Sequence, residues 1–321
     1  MDKQRYAIIG SGALGGLYGG MLANRGFEVH FLFHSDVDHV SREGLKVEST
    51  WGDFHLPQVH AHASVDTMPP CDVTIVGLKT TRNHLLPELL PIPTREGGVV
   101  LVLQNGLDIE AESAAVVGSD RVLGGCCFLC SNKIGPGLIR HLDYGRIVFG
   151  EYALPDLAQA GEVSDRAQRI ADEMNSAGIE VQATEDLRTA RWRKLMWNIP
   201  FNGLSVALDA STKELVDDPD AVSLVEAIIR EVHAGAAACG VDVPAEMISK
   251  TIEVTRSMVP YDSSMRLDYL NRRPIEVEAI LGNPVRAATA AGVRMPRVEM
   301  LYEQLKFLDA RSLCATTAAT N

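Results

Sequence analysis

The chain has 321 residues, 46% of them hydrophobic and 22% charged, a balance that excludes a disordered or fibrous protein. Its 42 acidic and 30 basic side chains leave a formal net charge of -12. That excludes the broad basic field of a nucleic-acid binder, though a few local cations can still hold a small anion. At this length two domains are expected.

The first half alternates strand and helix signals. Strand-like runs at 6–9, 28–33, 73–76 and 99–103 enclose helical patterns at 13–24, 85–90 and 109–117, a rhythm that predicts a parallel sheet with helices on both faces. Between 122 and 149 the pattern predicts short antiparallel strands with a turn at Gly135-Pro136-Gly137. A helix at 167–177 and a strand at 179–182 follow. Beyond about 184 only helical patterns remain, at 186–208, 221–239, 245–254, 275–291 and 298–309. The boundary is expected near Ala183, with a Rossmann-type dinucleotide-binding domain in 1–183 and an all-α domain in 184–321. The tail from Ala315 is small and polar and is expected to fray.

Cys71, Cys126, Cys127, Cys130, Cys239 and Cys314 show no regular framework, as expected of reduced thiols in a cytoplasmic protein. Cys127 and Cys130 form a lone CxxC, read as buried thiols. His55, His60 and His62 cluster without a further ligand at a metal spacing, so no metal is expected. The chain opens on a strand without a leader pattern. No apolar run is long enough to span a bilayer, and no membrane partner is expected.

Gly10-Ser11-Gly12-Ala13-Leu14-Gly15 follows the first strand and opens a helix, the context in which G-x-G-x-x-G binds a dinucleotide. The first glycine allows the turn, the second admits the pyrophosphate and the third lets helix and strand approach. NAD sites usually carry a carboxylate at the end of the second strand. Here His34 stands there, which favours NADP, with NAD not excluded; Asp36, two residues on, remains available to a ribose hydroxyl.

The most informative stretch is Arg191 to Asn202. Lys194, Asn198 and Asn202 recur every four residues, each step advancing about 40° around a helix, among Leu195, Met196, Trp197, Ile199 and Phe201. One ammonium and two amides on an otherwise apolar helix require partners. A polar ligand would supply them. Pro200 is a candidate kink.

Taken together, Gly10 to Gly15, Leu78-Lys79-Thr80, Gln104-Asn105-Gly106, Gly135-Pro136-Gly137, Trp192-Arg193-Lys194-Leu195 with Asn198 and Asn202, Ser263-Ser264-Met265 and Arg273-Pro274-Ile275-Glu276 resemble the ketopantoate reductase family. The resemblance implies an α/β Rossmann-type domain followed by an all-α domain (6-phosphogluconate dehydrogenase C-terminal-like), with the active site in the cleft between them. It implies NADPH-dependent reduction of 2-dehydropantoate, a small 2-oxo acid, in pantothenate and coenzyme A biosynthesis. Lys194 then matches the catalytic lysine and Glu276 the acidic residue that orients substrate and lysine. Asn105, Asn198, Asn202 and Ser264 match substrate-binding positions. Gly10, Ser11, Gly12, Ala13, Leu14, Gly15, His34, Lys79, Arg82 and Asn105 match cofactor-binding positions. A homodimer is plausible by family analogy alone.

Two departures stand out. The family commonly places an arginine where His34 stands, and Arg82 is the cation read as its replacement. Residues 208–215 replace a loop richer in glycine or asparagine, which leaves the substrate open. A dehydrogenase acting on another 2-oxo or hydroxy acid, and a non-catalytic dinucleotide-binding redox sensor, are the competing readings.

Overall fold

The computed structural model describes residues 3–152, 162–259 and 262–319. The chain divides into two units. Met1–Gln104 with Ile109–Leu187 form the first, and Asn105–Asp108 with Arg188–Asn321 the second.

The first unit is built on one sheet. Its strands are β1 (Tyr6–Ile9), β2 (Val29–Leu32), β3 (Leu45–Ser49), β4 (Phe54–Leu56), β5 (His60–His62), β6 (Val73–Val76), β7 (Val99–Val102), β8 (Val122–Gly135), β9 (Leu138–Glu151) and β10 (Val181–Ala183). The order is β4-β3-β9-β8-β7-β6-β1-β2-β5, with β10 beside β9. From β8 to β5 every pairing is parallel. β1 and β6 are buried along their whole length, which is why they read as near-continuous hydrophobic runs, interrupted only by Thr74, rather than alternating ones. β9 then runs antiparallel to β8, so the sheet is mixed.

β8 and β9 are 14 residues each, not the short strands expected. The register shifts between Phe128 and Leu129, Cys130 and Ser131, and Lys133 and Gly135. What breaks the sequence pattern is a set of bulges inside one hairpin rather than strand ends. β3 and the helix Val37–Glu43 lie where no element was expected. The cysteines of β8 are buried thiols outside any disulfide, and burial pushes the Cys130 thiol up to about 12.

The second unit is helical and surrounds a core that includes Trp192, Leu195, Met196, Ile199, Phe201, Ile228 and Ile280. The expected helix at 186–208 runs as Leu187–Trp197, a π-helical turn over Asn198–Asn202, and Gly203–Ala207. Pro200 sits inside the wide turn. Its ring clashes with an α-helical carbonyl and it has no N–H to donate, and a π turn absorbs both defects. The expected helix at 275–291 also holds a π turn, Glu278–Gly282, followed by Asn283–Ala290.

Pro219–Ala238 begins earlier than expected because Asp218 caps it, accepting from the N–H groups of Asp220 and Ala221. Ser264–Leu270 is a further helix. The last helix, Pro296–Ala319, includes the part of the tail expected to fray up to residue 319; residues 320–321 lie outside the described residues. No helix among the described residues is long and apolar enough to cross a membrane.

Candidate active site

The glycine loop joins β1 to the helix Ala13–Asn24. Gly10 has φ +100°, and a Cβ there would stand 2.5 Å from the Leu78 nitrogen. A Cβ on Gly15 would stand 2.3 Å from the Gly10 oxygen. Both glycines are therefore demanded by the chain's own backbone. Gly12 is different: its φ is -84° and a Cβ would meet nothing within 4 Å. No packing requires a glycine there, and no side chain caps the helix that begins after it. Open space before uncapped helical N–H groups is what a pyrophosphate needs, so the loop fits a dinucleotide.

The other cofactor candidates of this unit lie at strand ends. Ser11 Oγ donates to the Leu32 carbonyl at the end of β2 at 2.8 Å. His34 is exposed just beyond it. Lys79 precedes the 3-10 turn Thr80–Leu85, which carries the exposed Arg82. Sequence reasoning missed the support under that turn. Gln104 Nε2 donates to Asn83 Oδ1 at 2.6 Å and to the Leu78 carbonyl at 3.0 Å, and Asn83 Nδ2 donates to Glu112 at 2.8 Å. Asp36 is not available to a ribose as expected, because it is buried and engaged by Ser35, Gly137 and Lys133.

The second unit gathers the polar set. Lys194 is buried, and its Nζ donates to Asn105 Oδ1 at 2.7 Å. Asn105 is thus brought to the helical residues despite lying 89 positions away in sequence. Gly106 follows with φ +124°, and a Cβ there would stand 2.6 Å from the Ala279 carbonyl oxygen, so only glycine lets the turn settle on the second π segment.

Asn198 and Asn202 are 4% and 2% exposed, and Asn198 Nδ2 and Asn202 Oδ1 have no hydrogen-bond partner. Each such atom costs about 1–3 kcal/mol. The sequence pattern placed Lys194, Asn198 and Asn202 on an α-helical stripe. In the structure the two asparagines instead open and close a π-helical turn.

Ser264 is half-buried at the start of its helix. Its neighbour Ser263 caps that helix and lies 2.7 Å from Ser205 Oγ, which donates to the Asn202 carbonyl at 3.0 Å. A buried hydroxyl pair therefore ties the Ser264 helix to the Asn202 turn, a link between distant residues that carries no sequence signature. Glu276 is buried ahead of the second π turn, where its carbonyl accepts from Ile280 at 3.1 Å. In the stretch 208–215, Asp209 takes φ +49°. Ser211 and Glu214 form a capping box that starts the helix Thr212–Asp217, so half of the expected loop is helix and Thr212 is buried.

A largely parallel sheet opening on an empty-fronted glycine loop, together with a helical unit carrying a buried lysine among orphaned amides, defines a nicotinamide-dinucleotide-dependent oxidoreductase. Residues 6–153 match the family described as Ketopantoate reductase PanE/ApbA, and residues 186–309 match its C-terminal counterpart. The chain is 51% identical over 312 residues to the 2-dehydropantoate 2-reductase of Nostoc sp., covering 97% of each chain. The crystal structure of 2-dehydropantoate 2-reductase from Geobacter metallireducens superposes with a TM-score of 0.90 at 39% identity, covering 94% of this chain and 99% of that one. That from Methylococcus capsulatus superposes at 0.83 with 33% identity, covering 96% and 97%. The chain belongs to the ketopantoate reductase family.

Proposed function

We propose that this protein reduces 2-dehydropantoate to pantoate with NADPH, a step toward pantothenate and coenzyme A, and that Lys194 is its catalytic acid. The reading is carried by the buried Lys194–Asn105 contact beside two amides whose Nδ2 and Oδ1 atoms lack partners. An ammonium held in place by an amide is the proton donor that carbonyl reduction needs, and a protein that only sensed dinucleotides would have no use for one.

Gly10–Gly15, flanked by His34, Lys79 and Arg82, would hold NADPH, whose nicotinamide would supply the hydride that the substrate's carbonyl carbon takes up. Lys194 hydrogen-bonds the carbonyl oxygen, stabilises the negative charge that develops there and gives up one proton to form the hydroxyl. Asn105 holds the ammonium through its Oδ1 and fixes its direction. Asn198 and Asn202 offer one donor and one acceptor, matching a substrate that carries both a carboxylate and a hydroxyl. Ser264 adds a hydroxyl for the carboxylate, and Glu276 orients the ammonium and the substrate.

Purified protein should oxidise NADPH with 2-dehydropantoate faster than with other 2-oxo acids. Lys194→Ala should lower kcat by about 10²–10⁴ and leave NADPH affinity unchanged. Turnover of a different 2-oxo acid alone would overturn the substrate, and full activity in Lys194→Ala would overturn the mechanism.

A further inference from the structure

In a doubly wound sheet the 2′ position of the adenosine ribose falls at the end of the second strand. A carboxylate there accepts a 2′-hydroxyl and repels a 2′-phosphate. In this chain β2 ends at Leu32, whose carbonyl is held by Ser11 of the glycine loop. The carboxylate that follows is Asp36, only 4% exposed. Its Oδ1 accepts from Ser35 Oγ at 2.9 Å, and its Oδ2 accepts from the Gly137 N–H at 2.9 Å and lies 2.6 Å from Lys133 Nζ.

Lys133 reaches this place from β8. Its register partner across the hairpin is Ile139. Ile139 lies under the first turn of the glycine-loop helix, where a Cβ on Gly16 would stand 2.8 Å from its side chain. The end of the hairpin is therefore fixed against both the glycine loop and the end of β2. An ammonium has three donors, and Asp36 occupies one. The Lys133 side chain is 32% exposed, and the carboxylate it pairs with directly follows exposed His34 and Ser35 in the chain.

We propose that Lys133 is the specificity-determining residue that selects a 2′-phosphorylated dinucleotide: it cancels the Asp36 charge, occupies that carboxylate's acceptor sites and turns its remaining donors toward the phosphate. This role belongs to a hairpin residue, although cofactor selection is ordinarily sought on β2 itself. It differs from the part given to Arg82, whose turn follows β6 and is separated from β2 by β1. It rests on the dinucleotide reading of the glycine loop.

The test is binding, without turnover. Dissociation constants for NADPH and NADH are measured by fluorescence, and those for 2′-phospho-ADP-ribose and ADP-ribose by calorimetry. The proteins are wild type, Lys133→Met, Lys133→Arg, and Lys133→Met combined with Asp36→Asn. Lys133→Met should weaken the 2′-phosphorylated ligands about 10–100-fold, the range for a hydrogen bond to a charged group, and leave ADP-ribose unchanged or tighter. Lys133→Arg should keep the preference. Adding Asp36→Asn should restore part of the loss, because the unneutralised carboxylate is gone. This double variant carries the comparison if Lys133→Met does not fold. An unchanged ratio of phosphorylated to unphosphorylated affinity, or a parallel loss of both, overturns the assignment and leaves Lys133 a structural clamp. Failure of the wild type to bind any of the four would instead overturn the dinucleotide reading itself.

Discussion

The Ala279 carbonyl accepts the backbone N–H of Leu107 at 3.0 Å, and it does so because of a proline five residues on. In the π turn Glu278–Gly282 the Asn283 N–H donates to the Glu278 carbonyl. The next such bond would run from residue 284 to Ala279, but residue 284 is Pro284 and has no N–H. The freed carbonyl takes Leu107, while Asn283 Nδ2 donates to the Leu107 carbonyl at 2.6 Å. The turn bearing Asn105, and with it the contact to Lys194, is held at both ends.

Pro284→Ala should therefore act on catalysis at a distance. A new N–H at 284 competes for Ala279 and loosens Asn105. A bond of this kind contributes about 0.5–1.5 kcal/mol net, so kcat should fall roughly 3- to 10-fold with NADPH affinity unchanged. Steady-state kinetics beside an NADPH titration decide it. An unchanged kcat in a folded variant contradicts the positioning role.

The glycines of the loop should separate by kind. Gly12→Ala has room for its Cβ and no backbone strain, so its melting temperature should match wild type while NADPH binding weakens. Gly15→Ala drives a Cβ into the Gly10 carbonyl and should destabilise by several kcal/mol. Thermal melts without and with NADPH report both. Full NADPH affinity in Gly12→Ala would remove the pyrophosphate from that space.

Asn198→Leu exchanges an orphaned amide for an apolar group of similar shape. The ligand-free protein should gain up to about 1–3 kcal/mol, the cost of leaving such a donor unpaired, and KM for the 2-oxo acid should rise at least about 10-fold. Urea unfolding and kinetics on the same preparation are the measurement. Loss of stability with KM intact would mean that Asn198 serves the core instead.

On the first unit His30, His60 and His62 form a cluster. His30 Nδ1 lies 2.9 Å from His62 Nε2, His30 Nε2 lies 3.0 Å from Glu28, and His60 stacks on His30. Burial holds the His30 imidazole below its ordinary range, against the opposing pull of Glu28. Burial, followed by repulsion from His30 and His60, does the same to His62. The unfolded chain therefore takes up protons at a higher pH than the folded one, and stability falls as pH drops through about 6.5. Urea midpoints between about pH 7.5 and 5.5 should decline, and His62→Asn should flatten the decline. A slope that His62→Asn leaves untouched would place the effect elsewhere.

Local periodicity and turn chemistry made the first unit's core legible. β1, β6 and β7 are largely apolar runs bounded by turn residues, and Gly10 to Gly15 falls where a strand meets a helix. The long helices, and Lys194, Asn198 and Asn202 on one of them, were legible for the same reason, since spacing alone puts them close. The π turns were not, because a proline signals only that an α-helical bond is missing and not how the chain makes good the defect. The two 14-residue strands were hidden by their own bulges.

By itself the sequence determined which residues could do chemistry: the glycine loop, one lysine and a set of amides with too many polar atoms for an apolar helix. Tertiary structure alone decided their partners. Asn105 meets Lys194, Ser263 meets Ser205 and Lys133 closes over Asp36 across long separations in the chain. Such contacts depend on how distant backbones are brought together in space, and no local preference of the residues involved encodes them.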